Sequence, residues 1–110
     1  MEVTSHQLDR GVKIVVSGEV DMRNSAGVRD ELLMAVEQKA PLVIVDLSEV
    51  KYIDSSGLAT LVECLQNMAD YGGKLVLIGA SKSAKDVFSI ARLDKVFSFC
   101  DSEEEALAGC

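Results

Sequence analysis

The chain is short of the residues from which most active sites are built. Its 110 residues hold one histidine, three cysteines, one proline and no tryptophan. The histidine, His6, falls near the N-terminus on a weakly alternating stretch, far in sequence from Ser55 and Ser56. No serine stands in a G-x-S-x-G turn, so nothing arranges a Ser-His pair. Cys64, Cys100 and Cys110 form no CxxC pair, and an odd count closes no disulfide framework. Cys64, close to Met68 at helical spacing, reads as a half-buried structural thiol, and Cys110 lacks a C-a-a-X context. Asp21, Asp46 and Asp54 have no histidine or cysteine ligands beside them, and Gly72-Gly73 matches no phosphate-binding loop. The expectation is therefore no catalytic residue, no cofactor and no metal.

Positive charge is scarce too. Eighteen acids against eleven lysines and arginines give a net charge of −7, which disfavours nucleic acid and anionic membrane surfaces as partners. No apolar run approaches the roughly 20 residues that span a bilayer, and the N-terminus has no signal-peptide pattern. Membrane insertion is not expected; a cytoplasmic location with reduced thiols is. One proline argues against linkers, so residues 1–110 read as a single domain. Five aromatics leave the core to Val, Leu and Ile.

What is present is an alternation of strands and helices. Glu2 to Leu8 and Val12 to Val16 flank an Asp9-Arg10-Gly11 turn and read as a hairpin. Asn24-Ser25 opens a helix striped by Val28, Leu32, Ala35 and Val36, with Leu33 and Met34 off the stripe, and Pro41 ends that segment. Leu42 to Leu47 is a buried strand, and a helix from Gly57 to about Tyr71 stops at Gly72-Gly73. A strand over Lys74 to Ile78 follows, then a helix capped by Ser81 or Ser83, a last edge strand over Val96 to Phe99, and a short helix opened by Ser102. The order β-β-α-β-α-β-α-β-α predicts a small α/β fold: a mixed, mostly parallel sheet with helices packed on one side.

The stretch with the most chemistry is Asp54-Ser55-Ser56-Gly57, between the buried strand and the longest helix. Hydroxyls and an acid just ahead of an apolar-periodic run are N-cap residues. The spacing leaves open which of the two serines caps. Ala59, Glu63, Gln66 and Asn67 fall off the apolar stripe of the helix that follows.

In this setting Gly18-Glu19-Val20-Asp21, Ile44 to Val50 and Tyr52-Ile53-Asp54-Ser55-Ser56-Gly57-Leu58 resemble the anti-sigma-factor antagonists of the STAS domain family. Gly72-Gly73-Lys74-Leu75 and the Ser81, Val87-Phe88, Leu93, Val96-Phe97 series continue the likeness over nearly the whole chain. Two positions depart from the family pattern: Ala59, where a second glycine is frequent, and Arg92, where a glycine often precedes Leu93. The resemblance implies a non-enzymatic partner switch in transcription and stress regulation. Its unphosphorylated form binds a GHKL-type serine kinase that doubles as an anti-sigma factor, and so releases the sigma factor. Phosphorylation at Ser55 ends that binding, and a PP2C-type phosphatase reverses it. Partner contacts are then expected at Asp21, Asp54, Ser56 and Gly57, and along the helix at Ala59, Glu63, Gln66 and Asn67. The alternative is a non-switching STAS module, a structural subunit of a stressosome-like or lipid-transporter complex.

Overall fold

The computed structural model describes residues 1–109. Strands β1 (Glu2–Leu8) and β2 (Gly11–Val20) pair antiparallel across the two-residue turn Asp9-Arg10, the expected hairpin. β3 (Leu42–Ile53), β4 (Lys74–Ile78) and β5 (Ser98–Cys100) then add in parallel, so that spatial order and chain order coincide. The connections between the parallel strands are the helices α1 (Ser25–Glu37), α2 (Ser55–Ala69) and α3 (Lys82–Ile90). A short α4 (Glu103–Leu107) closes the described chain.

Alternation along the strands sorts the core into two sides. Val12, Ile14, Val16, Val43, Val45, Leu75 and Leu77 face Val28, Leu32 and Ala35 of α1, Leu58, Leu61 and Met68 of α2, and Phe88 of α3. The three long helices thus share one face of the sheet. On the other face, Leu42, Ile44, Val76, Ile78 and Cys100 are covered by Ala106 of α4, with Leu107 packed alongside. The scarce aromatics are concentrated: Phe88 is fully buried and meets Phe97 and Phe99 edge-on, at 5.4 and 5.2 Å between ring centres. Edge-to-face pairs suit the ring quadrupole and fix where the last strand docks.

Several boundaries differ from the sequence reading. β3 continues six residues past Leu47 because β2 also runs on, pairing Ser17 with Glu49, Gly18 with Val50, Glu19 with Tyr52 and Val20 with Ile53. Two register shifts interrupt this extension and break the alternation that would have announced it. β4 stops pairing at Asp46, so the ends of β2 and β3 project together beyond the rest of the sheet. β5 begins at Ser98 rather than Val96, since the Val96 and Phe97 amides donate to the Leu93 carbonyl in a turn that leaves Val96 exposed. α2 ends at Ala69, two residues early, and the Gly73 amide closes its end on the Met68 carbonyl at 2.8 Å.

Ser81 rather than Ser83 caps α3, accepting from the Ala84 amide at 3.1 Å. Ser102 caps α4 as expected. Arg92, the departure noted before Leu93, sits in left-handed backbone at φ +62, a conformation that favours glycine. Cys64 is a free, buried thiol that burial pushes up to about 11. Cys100 is buried on the other face of the sheet, and Cys110 lies outside the described residues.

Candidate functional site

The projecting ends of β2 and β3 each hand the chain to a helix, and the two turns are tied together. The Asp54 amide donates to the Val20 carbonyl at 3.1 Å, continuing the strand pairing by one residue. In return the Met22 amide donates to Asp54 Oδ2 at 3.3 Å. The loop bearing Asp21 therefore lies at the same sheet end as Asp54 and Ser55.

Asp54, not a serine, is the N-cap of α2. Its extended backbone leaves its Oδ1 in front of the first helix amides, accepting from Ser56 N at 2.9 Å and Gly57 N at 3.3 Å. The Ser56 hydroxyl donates to the same oxygen at 2.6 Å. These donors hold the Asp54 carboxyl below the usual carboxylate range, the Ser56 hydroxyl contributing most. Gly57 is buried where the helix meets the strands. A Cβ there would lie 2.7 Å from Ile53 Cγ1 and 3.0 Å from Val20 Cγ1, so only glycine lets α2 start this close.

Ser55 is different. It is exposed in the first turn of α2, and its hydroxyl makes no side-chain hydrogen bond among the described residues. The spacing left open which serine caps; the cap is Asp54, with Ser56 inside its hydrogen-bond network and Ser55 outside it.

Asp21 sits in the neighbouring turn with its carboxylate on Arg23, at 2.7 Å between Oδ2 and the guanidinium. That guanidinium holds the Asp21 carboxyl below its ordinary range. The local surface is thus less acidic than Asp21 and Asp54 alone suggest. Asn24, expected as the cap of α1, makes no side-chain cap bond. It is spent within the turn instead, donating to the Glu19 carbonyl and accepting from the Asp21 amide, both at 2.9 Å.

Along α2, Ala59 and Gln66 are exposed and Asn67 is half-buried. Glu63 is not free: Arg29 of α1 grips both its carboxylate oxygens, at 3.0 and 2.8 Å, and holds it below the ordinary range. The pair bridges the two helices across a shallow groove that Asn67 also lines. Sequence reasoning missed Met22, 81% exposed, and gave no role to the exposed Tyr52. No periodicity marks Met22, because it sits in a turn.

His6 hydrogen-bonds Thr4 and pairs with Lys13, which pairs with Ile44. Counted along β2 from Lys13 to Val20, the partner of Ile53, it is thus displaced from the site by roughly 23 Å, at about 3.3 Å per residue. No group of three His, Cys, Asp or Glu that could hold a metal occurs among the described residues. None of their helices is long and apolar enough to cross a membrane.

The mixed sheet, its helical layer and the two joined turns define a small α/β module that presents an ordered serine at a helix start. The family model of the STAS domain matches residues 2–106, and the chain belongs to that family. The anti-sigma-B factor antagonist of Bacillus subtilis is 28% identical over 104 residues, 94% of each chain. Among solved structures, an anti-sigma factor antagonist from Mycobacterium paratuberculosis superposes with a TM-score of 0.88 at 22% identity, covering 97% of this chain and 91% of that one. The anti-sigma factor antagonist SpoIIAA in its unphosphorylated form gives 0.83 at 23% identity, over 96% and 93%. The Bacillus SpoIIAA in its phosphorylated form gives 0.76, over 97% of each chain. At these identities the solved structures establish the fold.

Proposed function

We propose that the chain is a cytoplasmic anti-sigma-factor antagonist, a non-enzymatic single STAS domain that switches partners on phosphorylation of Ser55. The unphosphorylated form binds a GHKL-type serine kinase that is also an anti-sigma factor, and so frees the sigma factor. The kinase transfers the γ-phosphoryl group of ATP to Ser55 Oγ, with ADP as the other product. A PP2C-type phosphatase hydrolyses the ester with water and restores the binding form.

The observation that carries this reading is the division between the two serines. The cap of α2 is complete with Asp54 and Ser56, so modifying the exposed Ser55 hydroxyl removes no hydrogen bond that the fold uses. A phosphoserine adds about −1.5 to −2 charges and three acceptor oxygens. At a helix start that charge is tolerated by the dipole and by outward-pointing amides. The fold survives while a partner docked on the same surface meets a new, bulky anion. A loss of about 3 kcal/mol weakens binding more than a hundredfold. The chain needs no base near Ser55, because the kinase supplies one. The docking surface comprises the Asp21 turn and Ser56, continuing onto Ala59, Gln66 and Asn67 of α2, with Asp54 and the buried Gly57 holding the two turns in place rather than touching the partner. Glu63 belongs to it as half of an ion pair with Arg29.

The experiment is incubation with the cognate kinase and ATP, read by intact mass. One added phosphate, lost in Ser55→Ala and retained in Ser56→Ala, is expected. An unmodified chain, or phosphate that persists in Ser55→Ala, overturns the assignment.

A further inference from the structure

Asp54 has more hydrogen-bond partners than an N-cap requires, and they come from two segments. One oxygen serves α2, accepting from the Ser56 amide, the Ser56 hydroxyl and the Gly57 amide. The other leaves α2 altogether and accepts from the Met22 amide, in the turn between β2 and α1. That turn carries the exposed Met22, a large apolar side chain that the chain's own core does not use. The charges flanking Met22, Asp21 and Arg23, neutralise one another.

We propose that Asp54 is a positioning residue: its carboxylate fixes the Met22 turn against the Ser55 turn, so that the partner reads an apolar contact and the switch hydroxyl as one surface. The proposal rests on the function argued above and commits to the same occupant, the serine-kinase anti-sigma factor. Rigidity matters here because a partner that must order a loose turn gives up part of its binding free energy to do so. Asp54 thus acts on binding through Met22 rather than by touching the partner.

Asp54→Asn separates the two duties. Asparagine is as good an N-cap as aspartate, and its remaining oxygen can keep the Ser56 and Gly57 amides and the Ser56 hydroxyl. Its NH2 then replaces Oδ2 and confronts the Met22 N–H, donor against donor. In the full chain without partner, amide exchange of Met22 should rise about tenfold, the scale of one hydrogen bond to a charged acceptor, with Ser56 and Gly57 unchanged. An unchanged Met22 amide, or equal acceleration at all three, overturns the coupling.

With the cognate kinase, titration calorimetry on Asp54→Asn, Met22→Ala and the double variant completes the test. Each single change should weaken binding about tenfold, and the double variant should be little worse than either. Additive losses overturn the proposal, since Asp54 then acts independently of Met22. Failure of the wild-type chain to bind such a kinase overturns the proposed function and the partner half of this proposal together. The exchange measurement still decides the coupling within the chain.

Discussion

Replacing Gly57 with alanine sets helix propensity against packing, and the geometry says packing wins. In an unconstrained helix interior, alanine is favoured over glycine by about 1 kcal/mol. Here the new methyl lies 2.7 Å and 3.1 Å from two carbons of Ile53 and 3.0 Å from Val20. Ile53 and Val20 are 4% and 3% exposed, walled in by the core, so neither can swing aside. Forcing a methyl into such a site costs about 1–3 kcal/mol. The net destabilisation is about 1–2 kcal/mol, since position 57 in the first turn gains less than the full helical preference. For a chain of this size that lowers Tm by roughly 4–8 °C. Thermal unfolding followed by circular dichroism reads it, with urea titrations confirming an unchanged m-value. A Tm equal to or above wild type would mean that α2 starts loosely on the strands, and the close approach of Gly57 to Ile53 and Val20 would have to be abandoned.

Other outcomes follow from single features. Arg92→Gly relieves left-handed backbone at φ +62 and should raise stability by about 0.5–1 kcal/mol, seen as a higher urea midpoint. A lower midpoint would contradict it. Cys64, buried and with its thiol pushed up to about 11, should resist alkylation at pH 8 in the native chain and react fully in urea, as read by peptide mass mapping. Rapid native labelling would place Cys64 at the surface. The carboxyls of Asp21, Asp54 and Glu63 are held below their ordinary range in the folded chain, so the unfolded chain binds more protons in acid. Their contribution is fully present above about pH 5 and is lost as pH falls through the ordinary and then the depressed values. Urea midpoints from these groups should be flat between pH 7 and about 5 and fall progressively below that, less steeply in Asp54→Asn.

Element order, the hairpin and the mixed sheet could be read from periodicity because each face of each strand has one environment. Leu33 and Met34 behave as their position off the α1 stripe implied, half-buried and exposed. What escaped was set by tertiary partners. The last six residues of β3 owe their strand state to β2 alone, and the bulges there scramble the alternation. Val96 looks like a strand residue by composition, but the Leu93 carbonyl draws it into a turn. At the site, the sequence marked Asp54-Ser55-Ser56-Gly57 as a helix start but not which residue caps it. Only the orientation of Asp54 shows that Ser56 is held and Ser55 is not. Asn24 and Glu63 were legible as polar residues, while their consumption by Glu19 and Arg29 depends on contacts no local pattern encodes.

Comparing the unmodified and Ser55-phosphorylated chains for kinase binding and melting temperature, in parallel, bears hardest on the switch. At least a hundredfold loss of affinity with Tm within about 2 °C of the unmodified chain is the expected result. Retained affinity, or a loss accompanied by unfolding, would contradict it and return Ser55 to a structural part of the helix start.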